Sequence, residues 1–78
     1  MDNFIGEIRT FAFSNPPEGW LECNGAELSV TQYQPLFAVI GTRFGRSGLT
    51  FAVPNFVKSE APGTIICIAS EGIFPVRK

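Results

Sequence analysis

The chain has 78 residues, a net charge of −1, 45 % hydrophobic residues including eight Phe, only 17 % charged residues and no His. Such a length allows one domain (residues 1–78) that buries only about 60 % of its unfolded surface. The charge balance excludes the positive footprint that nucleic-acid binding requires. So much apolar material in so small a globule, with no imidazole to hold a metal, makes association with another chain the expected source of stability.

No segment approaches the roughly 20 apolar residues that cross a bilayer. The start, Met1-Asp2-Asn3-Phe4, has neither the basic region nor the apolar run of a signal peptide. Membrane insertion and signal-directed export are therefore not expected.

In chain order, residues 4–13 alternate imperfectly between apolar Ile5, Ile8, Phe11 and Phe13 and polar Glu7, Arg9 and Thr10, which predicts a strand. Asn15-Pro16-Pro17-Glu18-Gly19 breaks it, because proline lacks an amide donor and Gly19 tolerates positive φ. A second short strand is expected over Trp20–Cys23. Asn24-Gly25 is a two-residue hairpin signal that would return Ala26-Glu27-Leu28 antiparallel to it.

Thr31-Gln32-Tyr33-Gln34 reads as a capping box, opening a short helix over about Gln32–Ile40. Tyr33, Leu36, Phe37 and Ile40 follow at i, i+3, i+4 and i+7, one buried face. Gly41 would supply the left-handed C-cap, and Pro35 at the fourth position would distort the first turn. Gly41 to Gly48 is a glycine-punctuated loop carrying Arg43 and Arg46. Thr50–Val53 is a short strand stopped by Pro54, and residues 55–63 form a polar link. Thr64 to Ala69 is the most apolar run and reads as a strand buried on both faces. The fold class is therefore α+β, mostly β: a small antiparallel sheet, one short helix and long glycine-rich loops.

Catalytic templates lack their parts. Without His there is no Ser-His or Cys-His pair. Glu18, Glu22 and Glu27 could be an acid/base pair but read as solvated strand faces. Gly41, Gly45 and Gly48 lack the Gly-Lys-Ser/Thr ending of a phosphate-binding loop. No enzyme activity and no cofactor or metal are expected. Cys23 and Cys67, the only cysteines, admit two readings: buried small hydrophobes, or a disulfide joining the Trp20 segment to the C-terminal strand. Trp20 is either a ligand-stacking platform or a core anchor. Arg43 and Arg46 either meet anionic groups on a receptor or keep a loop soluble.

Five segments in fixed order carry a resemblance: Phe4-Ile5-Gly6-Glu7-Ile8, Pro17 to Gly25, Leu36 to Gly45, Thr50 to Phe56 and Gly72-Ile73-Phe74-Pro75. Together they resemble the phage tail-collar family, to which microcystin-dependent-type proteins also belong. The resemblance implies a non-enzymatic, typically homotrimeric module of a tail fibre, tail tip or phage-like injection device. Its location would be the virion or the extracellular space, and other tail proteins or a host-surface receptor would be further partners. Longer relatives carry an often His-containing insertion before the last segment, where this chain has only Val57 to Thr64. Their Pro-Asp-Leu-Arg-Gly-Arg continuation is replaced here by Pro54-Asn55-Phe56-Val57-Lys58-Ser59.

Two modes of assembly follow. In a closed oligomer the strands pair within the chain, and Phe56, Ile73 and Phe74 line the subunit contact. In an extracellular, pilus-like filament the subunits would polymerise through heterologous contacts that do not close into a ring, or by strand addition, with Phe4 to Phe13 or Ile65 to Ile73 completing a neighbour's sheet. Candidate interface residues are accordingly Phe4, Ile5, Phe11, Phe13, Phe56, Ile65, Ile73 and Phe74.

Overall fold

The computed structural model describes residues 3–56 and 62–75. Six strands and one helix follow in the order β1 (Ile8–Phe11), β2 (Trp20–Glu22), β3 (Glu27–Ser29), α1 (Gln34–Ile40), β4 (Arg46–Ser47), β5 (Thr50–Ala52) and β6 (Ile65–Ala69). They form two three-stranded antiparallel sheets, ordered β1-β6-β2 and β3-β5-β4. The mostly-β α+β class read from the sequence is the fold observed, divided between two sheets.

The most apolar run becomes the centre of the first sheet. β6 pairs on one side with β1, Ile8 opposite Ile68 and Phe11 opposite Ile65. On the other side it pairs with β2, Trp20 opposite Ala69 and Glu22 opposite Cys67. Because side chains alternate and directly paired residues share a face, Ile68 and Leu21 point one way while Trp20, Cys67 and Ala69 point the other. The first face joins Ile5, Cys23, Leu36, Ile40, Phe51 and Val53 in the main core. The second builds a smaller cluster in which Phe11 and Ile65 pack on Trp20, Cys67 and Ala69. Burying both faces of one strand explains its near-continuous hydrophobicity.

Asn24-Gly25 does not make the hairpin expected. The Asn24 side chain accepts a bond from Ala26 N–H (3.0 Å), and the chain leaves the first sheet to run beside the segment after β5. Gly25 N–H donates to Pro54 O, Phe56 N–H to Cys23 O and Val53 N–H to Ala26 O. A local turn signal is overridden because β2 and β3 each have a more apolar long-range partner, Ile68 for Leu21 and Phe51 for Leu28. The glycine-punctuated loop also gains structure: β4 and β5 form a hairpin in which Ser47 pairs with Thr50 across Gly48-Leu49. Gly48 at φ +59 permits the tight reversal.

The helix opens at Gln34, not Gln32, and no side chain caps Tyr33. Thr31 Oγ1 lies 2.9 Å from Ser29 Oγ, and that hydroxyl also accepts from Gln32 N–H at 3.4 Å, so the capping box is not formed. Pro35 sits in the first turn, where its missing N–H has no helical acceptor to lose. It starts the helix instead of distorting it. Leu36 and Ile40 are buried, with Tyr33 and Phe37 packed against the same core, the face the spacing predicted. Gly41 has positive φ (59°) but ψ −142°, outside the left-handed helical region, and its N–H closes the last turn onto Phe37 O.

Candidate functional site

The two ends of the described chain meet. Phe4 and Ile73 form a parallel bridge, held by Ile5 N–H to Ile73 O and Ile73 N–H to Asn3 O, both 2.9 Å. Asn3 is buried, and its Nδ2 donates to Glu71 O at 2.8 Å. Glu71 N–H in turn donates to Gly19 O (3.3 Å), tying in the turn before β2. Backbone hydrogen bonds thus tie this corner together within the chain, while its side chains are not covered: Phe4 is 50 % exposed and Phe74 52 %, with Ile73 similar. Glu18 and Glu71, on the same corner, are exposed.

The remaining candidate interface residues divide. Ile5 is 7 % exposed and belongs to the main core. It is available to no partner, a correction that follows from its place between the helix and the first sheet. Phe11 is half-buried, stacked on Phe13 (5.4 Å between ring centroids) and edge-on to Trp20 (5.0 Å). Ile65 is half-buried in the same cluster. Phe13 and Phe56 are exposed. Exposed apolar residues that the sequence reading did not single out are Ile8, Phe44 and Leu49, the last 78 % exposed. Leu49 was legible only as an apolar residue directly after a turn glycine.

Trp20 is no ligand platform. It is 8 % exposed, and the Arg9 guanidinium lies over its ring at 5.6 Å. Stacking a ligand would require displacing Phe11 and Arg9. Arg43 and Arg46 are exposed on the segment from helix to hairpin, and Arg46 Nε donates to Gly48 O (3.2 Å). Cys23 and Cys67 are both free thiols and both buried. They cannot meet as placed: Cys23 joins the main core and Cys67 the smaller cluster, on opposite faces of the sheet. The disulfide reading is corrected accordingly. Burial first, then the neighbouring Cys67 and Glu22, pushes the Cys23 thiol up to about 11, and burial followed by Glu22 raises Cys67. Such thiols are poor nucleophiles.

The carboxylates do not assemble into a pair. Glu22 lies in β2, whereas Glu27 is in the other sheet and accepts from Thr50 Oγ1 (3.3 Å). At the β1 edge, Glu7 takes Phe4 N–H (3.0 Å) and pairs with Arg9. The Phe4 amide, and then Arg9, hold its carboxyl below the ordinary value. Among the described residues, no cluster of three His, Cys, Asp or Glu could hold a metal ion, and no helix is long and apolar enough to cross a membrane.

No curated protein matches the chain. Residues 6–60, well over half of its length, match the family model described as the Phage Tail Collar Domain, taking in β1 to β5 and the helix. The chain belongs to the phage tail collar domain family, a structural module of phage tail fibres.

Proposed function

We propose that residues 1–78 act as one non-enzymatic collar unit that self-assembles through its exposed apolar corner within a phage tail fibre, tail tip or phage-like injection device, in contact with other tail proteins and the host surface. The observation that carries this reading is the corner itself. Phe4, Ile73 and Phe74 are half exposed on a corner that backbone hydrogen bonds tie together within the chain. Nothing in the fold of one chain needs these large apolar side chains at the surface, whereas a subunit contact does.

Surface docking is favoured over the filament by strand addition. The segments that would be donated, Phe4 to Phe13 and Ile65 to Ile73, pair with each other within the chain. Donating either would expose Ile68 and Ala69, which are fully buried. β1 is moreover a four-residue edge strand carrying an Arg9–Glu7 ion pair, the kind of edge that resists further pairing.

Mass photometry and negative-stain microscopy of the purified full chain test the proposal. A discrete species of about three subunits is expected on the family's pattern. Phe74→Ser should shift it to monomer while circular dichroism shows the subunit still folded, since the side chain is already half in water within one chain. A wild-type chain that stays monomeric at micromolar concentration would overturn the reading.

A further inference from the structure

Asn24-Gly25, which makes no hairpin, instead carries the chain from the first sheet to the second, between β2 and β3. The crossing needs both residues. The Asn24 side chain accepts from Ala26 N–H, a local turn suited to a short side-chain carbonyl. Gly25 has φ +78°, and a β-carbon there would stand 3.2 Å from both Cβ and Nδ2 of Asn55, so a larger residue would be strained and crowded. The fold thereby retains the pair in which an asparagine amide is most open to attack by the next backbone nitrogen, because glycine offers no side chain to hinder it. The other asparagines, Asn3, Asn15 and Asn55, precede Phe4, Pro16 and Phe56, whose nitrogens are crowded or, in proline, carry no proton to lose. In the folded chain the Gly25 nitrogen is occupied: its N–H donates to Pro54 O (3.2 Å), flanked by Phe56 N–H to Cys23 O (2.7 Å) and Val53 N–H to Ala26 O (3.1 Å). Asn24 itself is exposed, so solvent water reaches its side chain.

We infer that Asn24 is a modification site that reacts only when this crossing opens and then prevents it from closing. On opening, Gly25 N–H leaves Pro54 O and gives up its proton to solvent. The nitrogen attacks Asn24 Cγ, a C–N bond forms, and the side-chain nitrogen departs as ammonia, leaving a five-membered succinimide. Water then opens the ring at either carbonyl, with no oxidant or reductant involved. Opening at one carbonyl gives aspartate with the backbone unchanged. Opening at the other gives isoaspartate, in which the chain runs through the former side chain and gains a methylene. The isoaspartate has lost the side-chain acceptor that served Ala26 N–H. Its longer backbone cannot hold Gly25 on Pro54 O while keeping Val53 on Ala26 O and Phe56 on Cys23 O, bonds that need the spacing of an ordinary chain. The reaction thus turns a transient local opening into a permanent loss of the link between the two sheets.

Incubating the full chain at mildly alkaline pH, native and in guanidinium chloride, tests this. Mass spectrometry of the tryptic peptide Thr10–Arg43, against an unincubated control, follows conversion of Asn24. Conversion should be more than about ten-fold slower in the native protein than in the unfolded one. Hydrogen exchange at the Gly25 amide, read by NMR, should be slowed by a similar factor, because both processes require the same freed N–H. In the isolated isoaspartate form, the Val53 and Phe56 amides should lose their protection. Two variants separate the causes. Asn24→Ser keeps a side-chain acceptor and should show no conversion in this peptide. Asn24→Asp carries the product's charge on an ordinary backbone and should keep Val53 and Phe56 protected. Native conversion as fast as unfolded, or conversion that persists in Asn24→Ser, would overturn the proposal. So would an isoaspartate form that retains protection at Val53 and Phe56, or an Asn24→Asp variant that loses it equally, since charge and not the lengthened backbone would then be the cause.

Discussion

Gly72→Ala probes the seam between the two chain ends more sharply than any core truncation. Gly72 has φ +141°, and a β-carbon there would overlap the Asn3 carbonyl and stand 2.7 Å from Asn3 Nδ2. The obstacle is backbone, so it cannot be relieved by a rotamer change. Either the residue holds a backbone conformation, essentially reserved for glycine, that costs about 1–3 kcal/mol with a steric overlap besides, or the Asn3–Ile5 segment lifts away. Lifting sacrifices three hydrogen bonds, Ile73 N–H to Asn3 O, Ile5 N–H to Ile73 O and Asn3 Nδ2 to Glu71 O, at about 1 kcal/mol each. It also exposes Ile5, worth about 2 kcal/mol. The cheaper route bounds the loss, so about 3–5 kcal/mol is expected, a large fraction of the stability of a small domain. Urea unfolding followed by fluorescence of buried Trp20 measures it. Gly63→Ala is the control: its φ is +77° but open space surrounds its would-be β-carbon, so only about 1–2 kcal/mol of backbone strain should appear. If Gly72→Ala lost no more than Gly63→Ala, the seam would contribute nothing and the fold of the two ends as described would be refuted.

Leu36→Ala empties a fully buried site under the helix and should cost about 3 kcal/mol in the same urea assay; a change below about 1 kcal/mol would mean the helix does not dock there. Asn24→Ala removes the acceptor of Ala26 N–H and should cost about 1 kcal/mol, read as a lowered urea midpoint without loss of the fold. Cys23 titrates near 9 when unfolded and at about 11 when folded. The folded state therefore keeps a proton that the unfolded state releases, so this stabilisation is full below pH 9 and is lost as pH rises toward 11. Its extent is about 2–3 kcal/mol, and a Cys23→Ala variant should show a flatter alkaline stability profile. Both thiols should resist an aromatic disulfide reagent in the native protein and react together in urea; rapid labelling of either one in the folded state would contradict their burial.

What could be read from the sequence had local causes. The helical face of Tyr33, Leu36, Phe37 and Ile40 is set by the 3.6-residue repeat, and the doubly buried strand by an unbroken apolar run from Ile65 to Ala69. The collar family was legible in five ordered segments, and the apolar excess in the large apolar side chains left at the surface. Tertiary partners decided the rest. Asn24-Gly25 could turn back on β2, yet Leu21 and Leu28 pack better against Ile68 and Phe51, which sends β2 and β3 to different sheets. The helix start depended on whether Pro35 fell in the first turn or beyond it, a difference of two residues that local capping signals did not resolve. The fates of Ile5, Trp20 and the two cysteines turned on which face of a sheet each occupies. Side-chain alternation makes that a question of one residue of register, and register is set by the partner strand. An apolar residue is apolar in the sequence wherever it ends up; only the packing of β6 between β1 and β2 determined that Ile5 and Trp20 are covered while Phe4, Ile73 and Phe74 are not.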